Sequence, residues 1–253
     1  MGSVAELWAF PVKSFQGFPV EHLTVGPDGV DGDRTWGVVD PASGHVLSAK
    51  RWPDLLTAGA RVTDDGTVVV CLPDGAEYEA GSPDADAAVS ALLDHAVALR
   101  RAGAGAPGLP FEMHTDATDD ASPLFEFAGP PGRFVDLAAV HLLTTASLRA
   151  AAERYPAGDW DIRRFRPTAL LDVDGDGFVE DAWVGGRVGL GGNAVVTPFM
   201  PTVRCSMTTR AQPGLGRDVD IARTLNQHHD LNLGVYCAVE RAGAVRVGDP
   251  VAV

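Results

Sequence analysis

Turn residues punctuate the first part of this chain so closely that little except short strands fits between them. Gly26-Pro27-Asp28-Gly29, Gly32-Asp33, Pro41 through Gly44 and Asp64-Asp65-Gly66 each mark a reversal. The stretches between them are apolar and β-branched. Residues 4–12 read as a strand ending near Pro11, and residues 20–25 as a second. Trp36–Val39 follows, then residues 56–62 and 67–72. Strands this short, turned about every 8–12 residues, build a small β-barrel or sandwich.

The pattern then changes. Ser82-Pro83-Asp84 supplies a cap, a first-turn proline and a first-turn acid, so a helix is expected from there. Apolar residues at 88, 89, 92, 93, 96 and 97 extend one helical face to Arg101, with Gly103 as the stop. Residues 103–123 are rich in Gly, Pro, Asp and Thr and read as a linker.

The second part opens on a strand through His141 and Thr144, running into a helix from Ser147 to Arg154 before Pro156. His141 stands alone and reads as a structural histidine. Arg163-Arg164-Phe165-Arg166-Pro167-Thr168 follows; in an extended backbone Arg164 and Arg166 share a face opposite Phe165. Asp172-Val173-Asp174-Gly175-Asp176-Gly177 imitates a calcium loop, but its twelfth position is Trp183 where a bidentate Glu is required. A hairpin turn between residues 168–173 and 178–179 is expected instead. Residues 187–196 read as a strand, 218–228 as a helix with Ile221, Ala222 and Leu225 inward, and 234–240 and 245–253 as closing strands. His228 and His229 are expected at the surface.

Twenty basic residues against 34 acidic ones give a net charge of −14, which excludes general binding to nucleic acid or anionic membrane. It also makes any local basic cluster informative, and the densest is Arg163–Arg166. Guanidinium forks match phosphate oxygens, so that cluster reads as a small-anion site. Three cysteines, Cys71, Cys205 and Cys237, have no Cys-x-x-Cys spacing, so neither a disulfide framework nor a zinc site is expected. Cys71 and Cys237 lie in apolar strands and read as core. Cys205 differs: Pro198 and Pro201 pin the segment before it, Arg204 adjoins it, and Ser206, Thr208 and Thr209 follow. A neighbouring cation favours the thiolate, which is the nucleophile and metal ligand. A small buried hydrophobe is the other reading of this cysteine, and local sequence leaves both open.

In this order and spacing the motifs resemble the MOSC family, the molybdenum-cofactor sulfurase C-terminal domain, preceded by that family's N-terminal β-barrel domain. In the first part the resemblance rests on Pro11-Val12-Lys13-Ser14 with Gly17, Gly32-Asp33-Arg34-Thr35-Trp36, and Leu47 through Pro53. In the second it rests on Thr145-Ala146-Ser147-Leu148, Arg164-Phe165-Arg166-Pro167, Glu180-Asp181-Ala182-Trp183, Arg204-Cys205 with Thr208-Thr209, and Val247-Gly248-Asp249-Pro250. It implies a β-rich α+β protein with few helices: an N-terminal β-barrel-like domain over 1–105, a linker over 106–121 and a MOSC β-barrel domain over 122–253.

The resemblance further implies a molybdenum–pterin cofactor, with no part for pyridoxal phosphate. Cys205 would ligate the metal and serve as the catalytic cysteine. Lys13, Ser14, Arg34, Ser147, Arg166, Thr168, Arg204 and Tyr236 would contact phosphate and pterin. Two departures bear on substrate: Thr168 stands where the family usually has Asn, and Arg210-Ala211-Gln212-Pro213 replaces an Asp-Pro-x-x-Gly pattern.

The activity so implied is an oxidoreductase that removes oxygen from N-hydroxylated, amidoxime-like small molecules. Neither iron–sulfur cysteine spacing nor a dinucleotide-binding Gly-x-Gly-x-x-Gly is present, so electrons would come from a separate redox protein. The alternatives are a carrier of persulfide sulfur on Cys205 or of the cofactor, and a non-catalytic scaffold. No signal-like N-terminus or long apolar run is seen, and a cytoplasmic location without membrane partner is expected.

Overall fold

The structure, a computed structural model, describes residues 2–103 and 106–253. Strands β1 (Gly2–Ala9), β2 (Phe18–Val20), β3 (His22–Gly26), β4 (Gly29–Val30) and β5 (Trp36–Val39) come first. Next are β6 (Gly59–Val62), β7 (Val68–Cys71), β8 (Glu77–Glu79), helix α1 (Pro83–Leu93) and β9 (Ala98–Arg101). A hairpin of β10 (Pro110–His114) and β11 (Leu124–Ala128) leads to β12 (Val140–Thr144), α2 (Thr145–Arg154) and β13 (Ala169–Asp172). The chain closes with β14 (Val188–Leu190), β15 (Ala194–Val203), α3 (Asp220–His229), β16 (Asn232–Arg241), β17 (Gly243–Arg246) and β18 (Pro250–Ala252).

Seven strands close into a barrel. Their order is β13-β12-β16-β15-β14-β18-β1, and β1 pairs back onto β13. Closure leaves no free edge among these strands. The first strand of the chain is thus a stave of the barrel that the second half builds. Val4 and Leu7 both face inward although they are three apart, because a bulge between Val4 and Glu6 resets the alternation. Inside the barrel they meet Val140, Leu142, Leu171, Val196, Val235 and Val251. Cys237 is in this core, as expected, and burial pushes its thiol well above the ordinary range.

Three smaller sheets, β17-β3-β4, β5-β9 and β6-β7-β8, take in most strands of the first part, with β17 supplied from the end of the chain. A separate core of Val12, Phe15, Val38, Leu55, Leu56, Val70, Val89 and Leu99 holds much of that part together. The protein is β-rich, with three α-helices among the described residues.

Several local expectations are corrected. Helix α1 starts as the sequence indicates, with the Ser82 hydroxyl accepting from the Ala85 N–H at 3.1 Å, but it ends at Leu93. Asp94 takes the left-handed conformation, and the apolar residues beyond it feed β9, which pairs with β5. Residues 106–121, expected as a linker, contain β10 and place Phe111 in a small core with Val39, Val46 and Phe134. The expected boundary at residue 105 lies outside the described residues.

Phe178 and Val179 form no hairpin strand; a 3-10 turn at Val179–Trp183 follows β13. Arg163–Phe165 are not extended, because a 3-10 turn at Ile162–Arg164 precedes Arg166. Pro198 and Pro201 lie within β15, with irregular register on either side, where the missing N–H is tolerated. Cys71 is only half-buried beside Glu77. His229 is packed rather than exposed: its ring stacks on Phe178 at 3.5 Å, and Nε2 lies 2.6 Å from Asp181.

Candidate functional site

One cavity of about 340 Å³ opens where the end of β1, the β5 approach, the β10–β11 hairpin and the end of β15 meet. That volume lies in the range of small-molecule sites. Lys13, Ser14, Arg34, Arg166, Arg204, Cys205 and Tyr236 all line it. They come from five separated stretches of sequence, and the barrel closure that brings β1 against β13 juxtaposes the first with the third.

The backbone at this site is held in an uncommon state. Ser14, Arg34 and Arg166 have φ of 67°, 48° and 55°, in the left-handed region that residues with a Cβ seldom occupy. Such a conformation costs on the order of 1–3 kcal/mol per residue and persists only where its surroundings enforce it. For Arg34 the enforcement is visible: its N–H donates to the Phe10 carbonyl at 2.7 Å, while Asp33 accepts from the Phe10 N–H at 2.9 Å.

Charge is concentrated here against the acidic background. Lys13, Lys50, Arg34, Arg166 and Arg204 line the cavity, with Asp136 the carboxylate that shares its lining. Asp136 accepts from both Lys13 and Lys50, the latter at 2.5 Å. Both ammoniums lie over the Phe111 ring, 4.4 and 4.2 Å from its centre. Burial drives Lys13 down to about 8 despite Asp136, with Lys50 adding repulsion. Burial raises the Asp136 carboxyl, but the two lysines outweigh it and hold it well below the usual range.

The guanidiniums are incompletely used. Arg34 pairs with Asp33 at 2.5 Å and donates to the Arg166 carbonyl at 3.2 Å. Arg166 donates from Nη1 to the Phe15 carbonyl at 2.6 Å, and both arginines lie over the Phe10 ring. Arg204 donates from Nη2 to the Phe165 carbonyl at 2.7 Å. Yet Arg166 Nη2 and Arg204 Nε are buried with no partner. Burial lowers both arginines, but a guanidinium stays charged at neutral pH. Buried charged donors without acceptors are costly, and an anion with several acceptor atoms would complete them.

Cys205 sits half-buried at this cavity, directly before a 3-10 turn at Ser206–Thr209. Its carbonyl accepts from the Thr208 N–H and hydroxyl at 3.2 and 3.1 Å, which fixes the turn and the direction of the chain. Arg164, which does not line the cavity, secures the same turn by donating to the carbonyls of Thr208 and Arg210. No group of three or more His, Cys, Asp or Glu residues able to hold a metal occurs among the described residues. A metal bound at Cys205 would therefore take most of its ligands from a non-protein group. An anionic, sulfur-bearing cofactor fits this donor set: one thiol, unpartnered guanidinium N–H groups and two ammoniums.

Two sequence-named residues lie outside the cavity. The Ser147 hydroxyl donates to Glu180 at 2.5 Å and its N–H to Thr144, all buried. The Thr168 hydroxyl accepts from the His141 N–H at 3.1 Å. Three ionisable lining residues, Lys50, Asp136 and His141, were missed as site residues. Asp136 interrupts the apolar run from Phe134 to Ala139, and that interruption was the available signal; Lys50, next to Arg51, gave none. His141 lines the cavity at 3.5 Å from Arg204; burial first, then Arg204 and Arg34, push its pKa well down, so it is neutral. Burial raises Tyr236 to about 12, so its phenol stays protonated.

Comparison with known proteins adds a second line of observation. Residues 1–103 match the family model described as the MOSC N-terminal beta barrel domain, and residues 131–252 match that of the MOSC domain. Mitochondrial amidoxime reducing component 2 of Homo sapiens is 24% identical over 295 residues, spanning 99% of this chain and 83% of that protein. The Bos taurus protein of the same name is 24% identical over 296 residues, with the same shares. Among solved structures, the YuaD protein of Bacillus subtilis is similar in fold, with a TM-score of 0.51 at 13% identity, over 99% of this chain and 94% of that one.

Proposed function

Since the chain belongs to the MOSC family, with the family's N-terminal β-barrel domain ahead of its MOSC domain, we propose that it holds a molybdenum–pterin cofactor in the cation-lined cavity and reduces N-hydroxylated, amidoxime-like compounds. The observation that carries this reading is the pairing of a cavity-facing Cys205 with buried, unpartnered N–H donors on Arg166 and Arg204. The names of the human and bovine relatives supply the reaction type.

In this reading Cys205 is the metal's protein ligand. Lys13, Ser14, Arg34, Arg166, Arg204 and Tyr236 hold phosphate and pterin. The Ser14 hydroxyl already accepts from the Ala49 N–H at 3.0 Å and keeps its own proton to donate. Ser147 and Thr168 support the walls. The division of the chain near residues 105 and 122 belongs to the same proposal. When bound, the cofactor supplies two-electron oxygen-transfer chemistry. The residues of the chain orient it, exclude water with the apolar wall and keep protonated groups nearby. Reduction of an amidoxime breaks the N–O bond and consumes two electrons and two protons, giving an amidine and water. A separate redox protein supplies the electrons. No helix among the described residues is long and apolar enough to cross a membrane.

The test is the molybdenum and pterin content of purified protein, followed by turnover of benzamidoxime with a strong artificial reductant. Stoichiometric cofactor with turnover supports the reductase. Cofactor-free protein carrying sulfur on Cys205 moves the assignment to a sulfur carrier. Absence of both leaves a scaffold.

A further inference from the structure

The cavity has two walls of different character and different origin. Its charged floor comes from residues inside the two family-matched regions, 1–103 and 131–252. Much of its apolar wall comes from the β10–β11 hairpin, which falls between those regions. Phe111, Met113, Phe125 and Phe127 of the hairpin all line the cavity. Phe111 is buried beneath the two ammoniums and meets Phe127 edge to face, with ring centres 5.5 Å apart. Phe125 and Phe127 are 41% and 36% exposed and face the cavity side by side on β11, two positions apart. Met200, Val203 and Met207, flanking Cys205, complete the apolar lining. Methionine side chains adapt to ligands of varied shape.

The hairpin is tied down where the chain departs from the family pattern. Asp120, in the loop joining β10 to β11, accepts from Arg210 at 2.6 Å and from Arg217 at 2.8 Å. Both arginines belong to the segment that follows the Cys205 turn. Arg51 also pairs with Glu112 of β10. The aromatic wall is thereby fixed relative to Cys205 rather than left as a free flap.

Resting on the reductase reading above, we propose that the β10–β11 hairpin is the substrate-selecting wall of this site, with Phe125 and Phe127 gripping an aryl or branched alkyl body while the N-hydroxyl end points to Cys205. The chain then prefers hydrophobic N-hydroxylated compounds over small polar ones. Loss of an aromatic contact from a hydrophobic subsite changes discrimination by roughly tenfold or more.

The experiment compares wild type with Phe125→Ser, Phe127→Ser and, as a control on the same strand, Leu124→Ser, which is exposed but does not line the cavity. For cofactor-loaded protein, the ratio of kcat/KM for benzamidoxime to that for hydroxylamine is measured. For the same preparations, benzamidoxime binding is measured directly by titration calorimetry. The ratio is expected to fall about tenfold in both phenylalanine variants and to hold in the control, with binding weakened in parallel. An unchanged ratio, or an equal loss in Leu124→Ser, overturns the proposal. Weakened benzamidoxime binding in the two variants, with no turnover of either compound by wild type, keeps the aromatic subsite and overturns the reductase reading instead.

Discussion

Arg164 and Arg166 stand two positions apart, yet they belong to polar clusters of opposite kinds. Arg164 is 1% exposed and donates to four backbone carbonyls, those of Asp159, Thr208, Arg210 and Gly216. Its N–H groups are committed to holding chain to chain. Arg166, equally a part of the same sequence motif, makes one bond to Phe15 and leaves Nη2 without an acceptor. A different contrast, of access, separates the cavity from the cluster around Glu180, which lines no part of it although Glu180 Oε1 also lacks a partner. There Thr144 and Ser147 donate to one carboxyl oxygen inside a closed core. Polar residue type does not separate a strut from a ligand contact. An unmade donor on a residue that lines a cavity does.

The sharpest break between the two kinds of region is expected at the cysteines. Cys205→Ala removes the cavity thiol and is predicted to abolish molybdenum retention or turnover while the melting temperature stays close to that of wild type. Cys237→Ala, inside the barrel core, is predicted to cost about 1 kcal/mol of stability and leave metal content intact. Metal analysis and urea denaturation on the three proteins decide this. Equal activity of Cys205→Ala and wild type at matched folding would remove the site.

Next in size is the arginine pair. Arg164→Met strips four carbonyls of a charged donor and is predicted to cost about 3 kcal/mol or more. Arg166→Met removes a buried charge that lacks a carboxylate partner, so its effect on stability should stay within about 1 kcal/mol. Its affinity for inorganic pyrophosphate, used as an anion probe, should instead fall at least about tenfold. The reverse assignment, with Arg164→Met losing anion binding at unchanged stability, would collapse the distinction.

This pair also shows where the sequence was legible. That the Arg163–Arg166 cluster holds a cavity-lining arginine could be argued from its basic character in a chain of net charge −14. That the arginine is Arg166 and not Arg164 could not, because an extended backbone puts both on one face. A 3-10 turn followed by a left-handed residue at Arg166 separates them, and periodicity carries no trace of φ at a non-glycine position. The barrel strands were readable as short apolar, β-branched runs between turn residues rather than by alternation, since β12 is buried at every position and only β14 and β18 alternate. The length of α1 was not, since the apolar residues after Asp94 continue a helical pattern while serving β9. Ser147 looked like an anion contact by motif and is consumed by a carboxyl brought from 33 residues away. Lys50 and Asp136 become site residues only through contacts spanning 86 and 123 positions.

A smaller effect should appear in the open cluster as pH rises. Lys13, lowered to about 8 chiefly by burial, loses its proton across a range where an exposed lysine keeps it. Pyrophosphate affinity is therefore predicted to decline as pH passes about 8, with Lys13→Met already weak and flat over the same range. Calorimetric titration between pH 6.5 and 9.5, against wild type, reads this out. A wild-type profile flat to pH 9.5 would mean that Lys13 does not serve the anion.

The closed cluster should give the smallest signal, and with the slope its chemistry dictates. Burial raises the Glu180 carboxyl; the hydrogen bonds from Ser147 and Thr144 oppose the shift without cancelling it, and neighbouring Asp181 reinforces it. The folded protein thus holds this proton to higher pH than the unfolded chain, whose glutamates titrate near 4.3. Where the folded state binds more protons, stability falls as pH rises. The contribution is complete below the unfolded pKa and is lost progressively toward the folded one. Glu180→Gln mimics the protonated form, keeps an oxygen for both hydroxyls and cannot titrate. Its urea midpoint relative to wild type should therefore rise between pH 4 and pH 8. Parallel profiles for the two proteins would show that Glu180 titrates alike folded and unfolded. The cluster would then not be closed, and its contrast with the cavity would have to rest on the arginines alone.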